Sequence, residues 1–324
     1  MNYKLFFATV LTLTLFFNSG VLFAQLNPFQ ATDVVAQKAE NKLRILCFGA
    51  HPDDPEIRAG GSAMLWKRFG HEVEFVSVTN GDVGHWREAG GPLAKRRYDE
   101  VQKAAEILGT KTIVWDIHDG ELEVTLENRR RYIREIRKWN ADIVIAHRPN
   151  DYHPDHRNVG LLMQDSAFMV GVPFVCPDVP PLKKMPLFLY SYDTFQNPPF
   201  RADIAVALDD VIEQKLDALM VMESQFVEGG ALGATDPRTA STDPNIRNEL
   251  RLAGREHFRK RFADIANVAR EKLIELYGQE IGSQVKYAEA FELCEYGRPI
   301  VAPKRSLTPD ELQHLFPFIP KNSK

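Results

Sequence analysis

The sequence predicts an α/β protein, a Rossmann-like three-layer sandwich built on a mostly parallel sheet. Three observations lead to it. From Leu43 onward, short apolar and β-branched runs alternate with helical patterns. The runs have the length of strands rather than helices. Polar clusters of His and Asp follow two of them, at the carboxyl ends of strands where open α/β sheets bind ligands. With 324 residues, 44% of them hydrophobic and 26% charged, the chain can fill one large core or two modest ones.

The N-terminus reads as a secretory signal peptide over residues 1–24. Lys4 precedes an apolar run from Leu5 to Phe17, followed by Asn18, Ser19, Gly20 and a small residue at Ala24, after which cleavage is expected. As a helix the run rises only about 20 Å, short of the roughly 30 Å hydrocarbon core that a retained anchor must cross. The expectation is therefore an exported protein, periplasmic or secreted, with no membrane association after removal of the leader. Residues 25–42 form a polar lead-in.

Residues 43–302 are expected to form the catalytic domain. Its first strand is Leu43 to Phe48, its second Glu72 to Thr79, its third Thr112 to Trp115 and its fourth Asp142 to Ala146. Between the second and third, a helix from about Pro92 ends at Gly109, a typical left-handed terminator. Between the third and fourth, Thr125 is the N-cap of a helix that ends near Asn140. Leu187 to Tyr192 and Ile204 to Leu208 read as further strands, and Asp209 to Gln225 and Ile246 to Tyr277 as helices. The intervening stretch Glu228 to Asp243 lacks periodicity and is long for a loop in a compact domain, which suggests a lid. In the C-terminal extension, residues 303–324, Thr308, Pro309 and Glu311 supply the N-cap, first-turn proline and capping-box acid of a short helix closed by Pro317.

Charge and cysteine content exclude several classes. The formal net charge is −4 and the basic residues are dispersed, so the chain lacks the concentrated basic stripe that nucleic-acid binding requires. The three cysteines, Cys47, Cys176 and Cys294, have no short spacing and do not form a disulfide framework. They read as structural packing.

The chemistry is concentrated in two clusters. His51-Pro52-Asp53-Asp54 follows the first strand, and Asp151-Tyr152-His153-Pro154-Asp155-His156 follows the fourth. In a sheet of order 3-2-1-4-5 these strands are neighbours at the switch point, and the two loops bring three or four ligands to one place. Two His and one Asp suit a catalytic zinc with an open position for water, although Fe2+, Mn2+ or Co2+ can use the same ligands. The other histidines, at 71, 85, 118, 147, 257 and 314, read as structural or surface residues. Arg157 reads as a solvated helix-start residue or a partner for an anionic substrate group, and His85 with Trp86 as either a loop anchor or a stacking platform for a sugar ring.

These two clusters, with Gly60-Gly61 beyond the first, resemble the paired signatures of the PIG-L or LmbE-like zinc deacetylases. The resemblance extends through Thr79-Asn80-Gly81-Asp82-Val83-Gly84, Arg96-Arg97 with Glu100, Leu108-Gly109, Ser224-Gln225 and Tyr287-Ala288-Glu289-Ala290-Phe291, so it covers about residues 43–295. It implies that His51, Asp54 and His156 hold the metal, one Zn2+ per chain, that Asp53 is the base, and that His153 stabilises the oxyanion or acts as acid. Asp155 then orients or charge-tunes His153. The implied reaction removes an N-acyl group, most plausibly N-acetyl, from an amino sugar or glycoside, so the partner is a small-molecule or glycan substrate. A metal-dependent esterase or phosphoesterase could use the same ligands. A glycan-binding protein without catalysis would need neither Asp53 nor His153. The chain departs from the family pattern at Pro55, which separates the paired Asp from Glu56, and at Asn80 and Asp82, where the family commonly has Arg and Glu.

Overall fold

The computed structural model describes residues 42–298 and 307–321. The expected signal peptide and most of the lead-in lie outside them. Among the described residues, no helix is long and apolar enough to cross a membrane.

Seven strands form one sheet in the order β3-β2-β1-β4-β5-β7-β6. The strands are β1 Arg44–Gly49, β2 Glu72–Ser77, β3 Lys111–Val114, β4 Ile143–Ala146, β5 Leu187–Ser191, β6 Ile204–Ala207 and β7 Ala288–Gly297. The first five pair in parallel, and β7 runs antiparallel to both β5 and β6. The helices are α1 Asp54–Arg68, α2 Gly90–Leu108, α3 Leu126–Trp139, α4 Pro154–Ala167, α5 Ile212–Met220, α6 Glu223–Phe226, α7 Pro244–Val268, α8 Arg270–Gly282 and α9 Pro309–Leu315.

The near-continuous apolar strands are explained by helices on both faces of the sheet. Because side chains alternate along a strand, Ile45 and Cys47 enter the core beneath α1, α5 and α7, while Leu46 and Phe48 enter the one beneath α3 and α4. All three cysteines are free and buried. The C-terminal residues cover α1, with Leu315 and Phe316 buried and the Trp66 indole donating to the Leu315 carbonyl at 2.8 Å.

Several boundaries differ from the sequence reading. The helix expected from Asp209 to Gln225 is two helices, α5 and α6, and the one from Ile246 to Tyr277 is broken at Ala269 between α7 and α8. The helix after the second cluster begins at Pro154 rather than near Arg157. Proline lacks an N–H and is suited to a first turn, so His153 becomes the N-cap and His156 projects from the first turn. The stretch 228–243 contains two 3-10 turns, Gly230–Thr235 and Pro237–Ala240.

Candidate metal centre and its cavity

The carboxyl ends of β1 and β4 lie side by side, so their loops converge. The β1 loop turns directly into α1, with Pro55 in the first helical turn. That turn passes so close to the strand end that a Cβ at Gly49 would lie 2.4 Å from Pro55 Cδ, which accounts for glycine at 49. Further along α1, the amides of Gly61 and Ser62 donate to the Glu289 carboxylate of β7, each at 2.8 Å. A Cβ at Gly61 would meet Leu208 Cδ2 at 2.6 Å. Glu289 in turn forms a buried ion pair with Lys215. Both α1 and α4 direct their N-termini at the site, where the helix dipoles favour carboxylates.

Three atoms form a compact triangle. His51 Nδ1 is 3.3 Å from Asp54 Oδ2, His156 Nε2 is 3.3 Å from the same oxygen, and the two nitrogens are 3.2 Å apart. Ligands at about 2.0–2.1 Å around a tetrahedral ion are separated by roughly 3.3–3.4 Å, so the cluster is fit for a metal ion. The far nitrogen of each imidazole faces a carboxylate. His156 Nδ1 is 3.0 Å from Asp151 Oδ1, and His51 Nε2 is 3.0 Å from Asp119 Oδ1. Such outer carboxylates fix the tautomer and direction of a ligating imidazole. Burial alone would lower the pKa of His51, but Asp119, Asp155 and Asp54 outweigh it and hold it well above the ordinary value. Burial would raise Asp54, yet His156 and His147 hold it well below the usual carboxylate range.

Asp53 and His153 line the same cavity. Asp53 Oδ2 accepts from Gln225 Nε2 at 3.0 Å and lies 3.5 Å from Arg97 Nη2, while no hydrogen bond from the described residues reaches Oδ1. Burial raises its pKa, and Arg97 opposes the rise. His153 Nδ1 accepts from the Asp155 backbone N–H at 3.2 Å, so a neutral ring carries its proton on Nε2. Burial lowers the His153 pKa, and the neighbouring His51 and His156 lower it further, which favours that neutral form.

Asp155 does not meet His153 as the sequence reading expects. Its carboxylate accepts from the Gly120 and Leu122 amides at 2.7 and 3.2 Å and approaches His51 Nε2 at 3.4 Å. Only its backbone touches the His153 ring, because the N-cap geometry turns the Asp155 side chain towards the loop after β3. Its charge still raises the His153 pKa through space.

Other residues gain roles that their sequence context left unassigned. Asp119 follows β3 much as the two clusters follow β1 and β4, a signal that was present in His118-Asp119-Gly120. Asp151 and Arg97 were legible only as parts of longer patterns. His147 stacks on His156 with ring centroids 4.1 Å apart, accepts from the Ala50 amide at 3.1 Å, and is driven by burial to a pKa of about 3. It is a neutral wall of the site. His85 and Trp86 lie outside the cavity lining. His85 Nε2 approaches Glu228 Oε2 at 3.2 Å, and the Trp86 amide donates to the Gly230 carbonyl at 3.0 Å, so the pair backs the 228–235 segment. Arg157 donates to the Asp151 and Tyr152 carbonyls.

The departures from the family pattern have structural partners. Asn80 donates to Asp116 at 3.1 Å, and Asp82 accepts from the Asp119 amide at 3.1 Å and pairs with His118 at 2.6 Å. Together they tie the loop after β2 to the loop that presents Asp119. Glu56, which follows Pro55, is fully buried with neither carboxylate oxygen hydrogen-bonded among the described residues, and burial raises its pKa to about 8, which favours the neutral form.

These features define an α/β protein with a buried His/Asp cluster, fit for a metal ion, at the switch point of its sheet. The chain belongs to the PIG-L (GlcNAc-PI de-N-acetylase) family, a family of metal-dependent N-deacetylases, whose model matches residues 46–167. It is 32% identical over 225 residues to the diacetylchitobiose deacetylase of Thermococcus kodakarensis, covering 64% of this chain and 83% of that one. Among solved structures it is similar to the N,N'-diacetylchitobiose deacetylase of Pyrococcus horikoshii, with a TM-score of 0.59 and 26% identity over 77% of this chain and 83% of that one. A further relative, the 4-oxalmesaconate hydratase of Pseudomonas putida, is 25% identical over 56% of this chain and 73% of its own length.

Proposed function

We propose that the protein is a zinc-dependent N-deacetylase acting on an N-acetylated amino sugar or glycoside. The observation that carries this reading is the triangle of His51 Nδ1, Asp54 Oδ2 and His156 Nε2, set in one cavity with Asp53 and His153. The cavity, about 1090 Å³, is slightly larger than most small-molecule sites and suits a substrate of sugar size or larger. The similarity to deacetylases named for acetylated amino sugars supports the choice of bond.

In this reading His51, Asp54 and His156 hold the ion. When bound, zinc supplies a Lewis acid and lowers the pKa of water towards neutrality. Asp53, with Oδ2 engaged by Gln225 and Arg97, uses Oδ1 to take the proton from the attacking water. The Nε2–H of His153 donates a hydrogen bond to the carbonyl oxygen as negative charge develops there, and the proton that Asp53 took from the water passes to the departing amine, a poor leaving group without it. Asp151 and Asp119 keep the two imidazoles in the required tautomer.

The test is release of free acetate and free amine from a panel of N-acetylated sugars, with chelator and with zinc restored. Activity that vanishes on chelation and returns with zinc is expected. Activity confined to phosphoesters, or hydration of an unsaturated acid without acetate release, overturns the reading. We also propose export with cleavage after Ala24. N-terminal sequencing of the protein recovered outside the cytoplasm should begin at Gln25, and recovery of the intact N-terminus would sink that part.

A further inference from the structure

The part of the cavity wall supplied by α7 contains a cation with no hydrogen-bond or ion-pair partner among the described residues. Lys260 is paired with Asp264 at 2.7 Å. Arg261, half-buried beside it, makes no hydrogen bond or ion pair among the described residues, and its Nε is shielded from solvent without an acceptor. A recess behind it is bordered by Arg58, Tyr192 and Glu289. Glu289 is occupied by Lys215 and the Gly61 and Ser62 amides. Arg58 donates to the Tyr192 carbonyl at 2.6 Å and only approaches Asp54 and Asp151, at 3.9 and 3.8 Å. Two guanidinium groups thus share one corner of the cavity, and neither has a carboxylate in bidentate contact.

Two other shielded arginines are satisfied, and Arg97, with only Nη1 hydrogen-bonded, faces Asp53 and Asp119 at 3.5 and 3.7 Å. Arg148 grips Asp193 through two bonds of 2.7 Å, and Arg137 donates to backbone carbonyls between Met169 and Val179. An arginine withdrawn from water without an acceptor is costly, and a planar fork of donors on a cavity wall is matched to an oxyanion. Burial and the adjacent positive Arg58 both disfavour its charged form, and an anion placed there relieves both.

We propose that this corner is an anion subsite with Arg261 as its specificity-determining residue, and that the substrate is an N-acylated amino sugar carrying a carboxylate, phosphate or sulfate. The sugar in this statement rests on the deacetylase reading, while the anion rests on Arg261.

Calorimetric titration separates the two. The probes are N-acetylglucosamine, its 1-phosphate and 6-phosphate, and N-acetylmuramic acid, each added to the zinc-loaded full chain and again after chelation, so that direct contact with zinc is distinguished. At least one anionic probe should bind about tenfold more tightly than the neutral sugar, the size of one charge-assisted hydrogen-bonded contact. Arg261→Gln should abolish that preference while leaving the neutral sugar's affinity and the Tm unchanged, and Arg261→Lys should retain part of it. The proposal is overturned if wild type shows no preference, or binds no probe, or if the preference persists in Arg261→Gln. Binding requires no turnover, so a failure to release acetate counts against the deacetylase reading and not against the subsite.

Discussion

Where the ends of β1 and β4 meet, the reactive side chains are set by backbone geometry: strand register, two helix N-termini and the capping position of His153. The wall formed by residues 225–232 and α7 is held differently. Glu228, nearly inaccessible to solvent, accepts from Arg96 at 2.9 and 3.0 Å and from Arg247 at 2.7 Å, with His85 alongside. Consecutive glycines at 229 and 230, with φ of 81° and 55°, then carry the chain along the cavity wall. The contrast is between side chains placed on strand ends by backbone geometry and a wall segment fastened by side-chain ion pairs.

The largest effects should come from the strand-end wall. His51→Ala, Asp54→Ala and His156→Ala should each lose most of about one bound metal per chain, measured by elemental analysis of the purified protein. Full metal content in all three would refute the cluster as the metal site. Asp53→Ala should retain fold and metal but lose about a hundredfold or more in kcat, and near-native turnover would place the base elsewhere. Asp151→Asn should weaken metal affinity by roughly 10–100-fold, read by competition with a chromogenic chelator, since it removes the carboxylate behind His156.

Smaller effects belong to the second wall. The Glu228 carboxyl is buried, which would raise its pKa, but Arg96 and Arg247 pull it from 4.5 down to about 2. A depressed acid pKa stabilises the folded arrangement above the unfolded value, and this contribution is lost as pH falls from about 4.5 towards 2. Hydrogen-exchange protection in residues 229–240, taken relative to the intrinsic rate at each pH, should therefore fall across that interval before the sheet opens. Glu228→Gln should show the faster exchange already at pH 7, with KM raised and kcat little changed. Equal protection in variant and wild type would show that the segment is held by something else.

The same division governs what the sequence could reveal. The first four strands, their order and both His/Asp clusters were legible because period, length and motif all depend on neighbouring residues. Asp119 carried only one local signal, its place after the third strand, since its partners, His51 and Arg97, are distant in the chain and reach it only through the loop after β3. Glu289 was recognisable only as part of a familiar pattern, because its task is to accept amides from a helix far upstream. The break at Ala269 carries neither Gly nor Pro, and α7 simply runs on in the pattern of α8. Arg261 reads as one more charge on a long amphipathic helix until the cavity beside it is seen.

The bond from Gly61 to Glu289 spans 228 positions. During synthesis the helix that follows the first cluster is made early, but the carboxylate that receives its amides emerges only when nearly nine-tenths of the chain exists. Until then α1 lacks its support from β7, and Lys215 has no counter-charge in the core. The packing of α1 against β7 therefore waits until residue 289 has been made. A chain ending before residue 289 should bind zinc far more weakly than the full one, and equal uptake by the two would show that the strand ends organise the site unaided.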